Sequence, residues 1–145
     1  MLPVLLLVLT TSFAIAGCGA GNRGSAGMPY TVLGALKKLK PKPPYPPGNV
    51  NGGYQALDAA LLLNLSAAET GAPGGGISEY AMGVGALWTG SYTVKGDTIT
   101  ATVHRKASKK VVTCTFKTLG NDGLRETDSG SNGRLWYRFI RGDED

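Results

Sequence analysis

Few side chains in this sequence are of the kinds that carry out proton transfer or covalent chemistry. There is one histidine, His104, and there are two cysteines, Cys18 and Cys114. A histidine acting as a base needs a nucleophile to activate and an acid to orient it. Ser108 and Asp97 are the candidates, yet no motif surrounds either, so His104 reads as a solvated loop residue. A metal cage needs several ligands at fixed spacings, and the sequence offers no such cluster. Gly19-x-Gly21-x-x-Gly24 matches a dinucleotide fingerprint in letters only, because no strand precedes it and no helix follows. No paired carboxylates and no phosphate loop stand out. The expectation is a protein without catalytic residues, metal or cofactor.

The two cysteines have different surroundings. Cys114 alternates with Val112 and Phe116 on one face of a strand, with Val111, Thr113, Thr115 and Lys117 on the other. It should be a buried thiol that stays reduced and reacts slowly. Cys18 follows residues 2–16, an uncharged apolar run ending in Ala14-Ile15-Ala16. That run is too short for a comfortable membrane span and reads as the hydrophobic part of a signal peptide. Ile15-Ala16-Gly17-Cys18 resembles the bacterial lipobox. The resemblance implies cleavage before Cys18, palmitate-type acyl chains on that residue, and a membrane anchor durable because it has more than one chain. Gly19, where an Asp would retain the protein at the inner membrane, implies the outer membrane of a bacterial cell envelope. The alternative is an ordinary secreted protein cut after Ala16. In that case a Cys18–Cys114 disulfide becomes conceivable in an oxidising compartment.

Charge is divided along the chain. Residues 18–49 are rich in glycine, serine and proline, and they carry Arg23, Lys37, Lys38, Lys40 and Lys42 with no acid. The excess of 15 basic over 10 acidic side chains lies wholly there, so residues 50–145 are neutral. A nucleic-acid-binding domain would concentrate its excess on the folded part; nucleic acid is therefore not an expected partner. The basic stretch suits an anionic membrane surface, where each residue contributes on the order of 1 kcal/mol, or it serves as a solvated linker. Residues 30–40 could form a short amphipathic helix, and 41–48 should run as polyproline II, leaving 18–49 a flexible tether.

These residues must be positioned by short strands. With 22 glycines and 8 prolines, a helical bundle is excluded. Leu57, Ala59, Leu61, Leu63 and Leu65 share one face of an alternating run, although leucine and alanine there also allow a helix. Trp88, Tyr92 and Val94 alternate up to a Lys95-Gly96-Asp97 turn, and Ile99, Ala101 and Val103 alternate after it. Asn121-Asp122-Gly123 and Ser131-Asn132-Gly133 supply further turns, and Leu135, Tyr137 and Phe139 complete the pattern. The domain at 50–145 should be all-β, a small antiparallel up-and-down barrel or curved meander of six to eight strands. Signal peptide 1–17 and tether 18–49 would precede it.

The run Gly85–Val103, with Trp88, Tyr92, Gly96 and Asp97, resembles the hairpin of small bacterial lipocalin-like, envelope-stress-type lipoproteins. The Asn121–Leu124 turn and the Trp136–Arg141 strand fit the closing hairpins of that group. The paired-cysteine motif of its copper-resistance members is absent, so no metal handling follows. The resemblance implies a lipid-anchored, non-catalytic binding domain for an apolar small molecule or an envelope protein. Trp88, Tyr92, Tyr137 and Phe139 would line its cavity, or would simply be core aromatics. An alternative is an inhibitor of a host or envelope hydrolase, acting through the basic loop of His104, Arg105, Lys106, Lys109 and Lys110. A small secreted hydrolase using His104 is a second alternative. Asn64-Leu65-Ser66 matches a glycosylation sequon and Arg141-Gly142-Asp143 an integrin-type tripeptide; both read as chance matches.

Overall fold

Strict apolar alternation between turn residues dictates strands with one face in a core, and the described residues form eight of them. A computed structural model describes residues 30–68, 74–128 and 133–141. The signal segment and Cys18 lie outside the described residues, as do Ser131, Asn132 and the tail at 142–145. Helix α1 (Tyr30–Lys38) precedes β1 (Gly52–Ala56), β2 (Leu61–Ala67), β3 (Gly74–Ala81) and β4 (Gly85–Lys95). Strands β5 (Thr98–Arg105), β6 (Val111–Thr118), β7 (Gly123–Glu126) and β8 (Leu135–Arg141) follow. Each strand is antiparallel to its neighbour in sequence, and β8 returns to pair with β1, closing an up-and-down barrel.

The β4–β5 hairpin turns where the sequence demands it. Lys95 faces Thr98 in register, and Gly96 supplies the positive φ of +60° that the two-residue turn requires. Asp97 is held beside it by the Lys117 ammonium at 3.1 Å. The interior is filled from all sides, with Tyr54, Leu63, Trp88, Ile99, Phe116 and Trp136 in one packed cluster. Full burial of each such side chain contributes roughly 1.5–3 kcal/mol. Leu57, Ala59, Leu61, Leu63 and Leu65 are all buried, but only the last three lie in β2. Leu57 and Ala59 belong to the β1–β2 connection.

Two expectations are corrected. Residues 34–49 do not trail away as a flexible tether; they are fixed to the barrel. Leu36 and Leu39 pack with Leu57, Leu119, Leu135 and Tyr137 in a second apolar cluster outside the barrel. Lys42 then bridges in parallel to Leu119: its N–H donates to the Thr118 carbonyl at 2.9 Å, and Gly120 N–H donates to its carbonyl at 3.0 Å. The amide of Asn121 accepts from Tyr45 N–H at 2.8 Å and donates to the Tyr45 carbonyl at 3.0 Å. Val50, fully buried in the barrel core, ends this strap. The second correction concerns β8. Its inward residues are Trp136 and Arg138, with Arg134 buried just before the strand, while Leu135 and Tyr137 face out beneath α1. The apolar stripe of β8 marks the outer face because a helix covers it.

Candidate functional site

The buried Arg134 and Arg138 need partners: Arg138 Nη2 donates to the Asn51 carbonyl and its guanidinium lies 5.8 Å from the Tyr54 ring centroid, while the other end of the barrel holds Arg134. Arg134 donates through Nε to Asp58 in the β1–β2 connection at 3.0 Å. Inside lie two glutamates that sequence reasoning missed. Glu126 ends β7, and its Oε1 accepts from the Trp136 indole N–H at 2.8 Å. Glu79 sits two residues before the end of β3, opposite Leu63 and Trp88, with 0% of its surface exposed. Neither Glu79 carboxylate oxygen has a hydrogen-bond partner of good geometry, and Glu126 Oε2 and Arg134 Nη1 share that condition.

Electrostatics follow from this burial. Loss of water pushes the Glu79 pKa up to about 8, helped by the negative charge of Glu126. Arg134, the Trp88 indole and Arg105 pull the other way without compensating. Burial likewise raises Glu126 to about 7; the Trp136 hydrogen bond and Arg134 oppose it, and Asp128 and Asp58 add to it. The absence of paired carboxylates expected from the sequence is thereby corrected. The pair exists only because barrel closure brings β3 and β7 to one interior.

A second feature lies on the outer surface of β8, β1, β2 and β3. The β8–β1 register shifts between Gly53 and Tyr54, and Phe139 sits at this irregularity. Its ring lies over Gly53, where an added Cβ would meet the ring at 3.0 Å. Beside it opens a groove of about 520 Å³ lined by Gly53, Leu62, Ala67, Tyr80, Phe139 and Ile140. Phe139 is 44% and Ile140 55% exposed, unusual for large apolar side chains on strands that otherwise alternate.

The expected site residues separate. Trp88 and Tyr92 are buried in the interior, Tyr137 is outside against α1, and Phe139 borders the groove. The four do not line one cavity. Tyr92 shares its hydroxyl hydrogen between Asn51 Oδ1 and the Ser66 carbonyl, and burial raises its pKa to about 12. In the basic loop, His104, Lys106, Lys109 and Lys110 face solvent, whereas Arg105 is half-buried and near enough to Glu79 to interact with its charge. His104 and Asp97 stand at opposite ends of β5, roughly 23 Å apart for seven extended residues. They do not meet, and Ser108 is bonded instead to the Lys110 N–H at 3.4 Å.

Cys114 is fully buried on the inward face, as its alternation required. The expectation of a reduced thiol is corrected, because its sulfur is disulfide-bonded. The other cysteine of the chain, Cys18, lies outside the described residues. No known protein family, curated protein or solved structure matches this chain.

Proposed function

We propose that this chain is an exported, lipid-anchored protein of the bacterial envelope whose barrel is a non-catalytic binding module. Its ligand is an apolar small molecule or an apolar segment of an envelope protein, held in the groove outside β1, β2, β3 and β8. The observation that carries this reading is the exposed pair Phe139 and Ile140 beside the 520 Å³ groove. Large apolar side chains rimming a concave surface are characteristic of binding sites. The interior, by contrast, is occupied by the side chains of the protein itself, two tryptophans among them.

Titration of the purified chain with N-phenyl-1-naphthylamine, an uncharged apolar probe, tests the groove. Saturable fluorescence enhancement is expected, with at least a tenfold loss of affinity in the Phe139→Ser, Ile140→Ser double variant. Equal binding by both proteins would move the ligand elsewhere.

The anchor rests on the lipobox resemblance at Ile15–Cys18. The disulfide at Cys114 favours a second reading, a soluble exported barrel, since a sulfur in a disulfide cannot also carry a thioether-linked lipid. Intact mass of the mature protein decides between them. Acyl chains on an N-terminal Cys18 support the anchor; an unmodified terminus with a mass that rises by two hydrogens on reduction supports the soluble form.

A further inference from the structure

Arg134 stands among three carboxyl groups on three different elements. Asp58, on the β1–β2 connection, holds its Nε at 3.0 and 3.3 Å. Glu126 of β7 and Glu79 of β3 both feel its charge from the interior. The Arg134 side chain is 5% exposed and that of Asp58 52%, so the ion pair links the barrel interior to the surface. Arg134 Nη1 and Glu126 Oε2 are both buried and unbonded, a donor and an acceptor at the same end of the barrel. The remaining charged groups around the pair are Arg105 from the end of β5 and Asp128 after β7. Asp128 is engaged by Thr115, whose N–H donates to both carboxylate oxygens at 3.0–3.1 Å. Leu61 and Leu63 of β2, Trp88 of β4 and Phe116 of β6 pack in the same interior and carry no charge, and Arg138, farther along β8, is engaged by the Asn51 carbonyl and the Tyr54 ring.

We propose that Arg134 is a proton-controlled latch that exchanges Asp58 for Glu126 and Glu79 when the two interior carboxyls ionise, and so regulates the outer groove. With both glutamates protonated, the Asp58 carboxylate is the partner bonded to Arg134, and the β1–β2 connection is clamped to the start of β8. Loss of the interior protons places one or two charges inside the barrel with Arg134 as their strongest counter-ion. The guanidinium then turns inward, satisfying Nη1 and Oε2, and Asp58 is released. The same elements wall the groove. Asp58 leads through Ala59 and Ala60 into β2, which supplies Leu62, and Arg134 opens the strand that supplies Phe139 and Ile140. Glu79 is adjacent to Tyr80, and the β3–β4 register shifts between those two residues. The interior proton state therefore reaches three groove strands along the chain, by one residue in β3 and by four or five residues in β2 and β8. This regulation rests on the groove being the binding site.

The chain contains two tryptophans, and each lies beside one glutamate: Trp136 on Glu126 and Trp88 on Glu79. Intrinsic fluorescence thus reads the latch without any ligand. The wild-type protein should show a reversible fluorescence transition between pH 6 and 9, and amide exchange at 57–60 should accelerate at least tenfold across it. The Glu79→Gln, Glu126→Gln protein should be flat over the same range. If that variant does not fold, Glu79→Leu alone should move the transition. Absence of a wild-type transition, or its survival in the double variant, overturns the latch. Binding of N-phenyl-1-naphthylamine at pH 5.5 and 8.5 then tests coupling, because the probe does not titrate there. At least fivefold weaker binding at pH 8.5 in wild type, with no change in the double variant, is expected. Equal binding at both pH values beside an intact transition overturns the coupling, whereas no binding at any pH defeats the groove reading and leaves the fluorescence result to judge the latch.

Discussion

A carboxyl group buried away from water costs less to fold when neutral than when charged. Glu79 is in that position, and its folded pKa near 8 lies above the ordinary value of 4.5. Between those values the folded state holds a proton that the unfolded state has lost, so stability falls as pH rises. The contribution is complete below pH 4.5 and is lost as pH passes through about 8. Urea unfolding at pH 5 and pH 9 should show this decline in wild type. In Glu79→Leu the slope should shrink, and at pH 9 the variant should exceed wild type by on the order of 2 kcal/mol, since an apolar group of similar volume replaces a buried charge. An unchanged slope would mean that Glu79 reaches water. Glycine contributes at the same scale where backbones crowd. A Cβ on Gly90 would stand 2.0 Å from the Thr102 carbonyl oxygen of the neighbouring strand, a contact that no rotamer relieves. Gly90→Ala should cost about 3 kcal/mol in thermal or urea unfolding. A loss below 0.5 kcal/mol would show that β4 and β5 can part locally.

Elements differ in how openly the sequence declares them. The β4–β5 hairpin was legible because its inward side chains are apolar, its outward ones are polar, and Gly96-Asp97 meets the turn geometry. Cys114 and Phe116 were placed on the correct face of β6 for the same reason. In β8 the alternation pointed the wrong way, since α1 makes the outer positions Leu135 and Tyr137 apolar while arginines occupy the inside. The Glu79–Glu126 pair was illegible in principle. The two residues belong to strands that are not neighbours in the sheet, and only closure of the barrel joins them. The α1 strap, read as a free tether, was disguised by its proline and lysine content. Leu36 is what fixes it, 2% exposed and packed close to Gly123. Leu36→Asp should therefore detach α1 and the strap without unfolding the barrel. Limited proteolysis should then cut within 34–45, and hydrogen exchange in β4 and β5 should stay as in wild type. Loss of protection throughout the barrel would show instead that the strap is part of its cooperative core.

Closure of the barrel pairs β1 with β8, and the short β7 joins β6 to β8 through three residue pairs on each side. The charges of the described surface are unevenly placed. Residues 50–145 are neutral, whereas Lys37, Lys38, Lys40 and Lys42 are exposed along the strap. These four cations stand on a docked segment whose Leu36 and Leu39 cover the outer face of β8, the strand that continues to Phe139. On the proposed reading, that side of the molecule faces the membrane. A fixed array of lysines near an anionic surface contributes on the order of 1 kcal/mol per residue and fades within a Debye length of ~10 Å at 0.1 M salt. The unlipidated chain should therefore sediment with vesicles containing anionic phospholipid and not with purely zwitterionic ones. Raising the salt to 1 M, where the Debye length is about 3 Å, should release it. Replacing the four lysines by glutamine should abolish the preference while leaving the far-ultraviolet circular dichroism of the barrel unchanged, because none of the four side chains contributes to the core. Vesicle binding that persists in high salt, or in the four-residue variant, would assign the contact to Phe139 and Ile140 alone and remove the lysines from any role at the membrane.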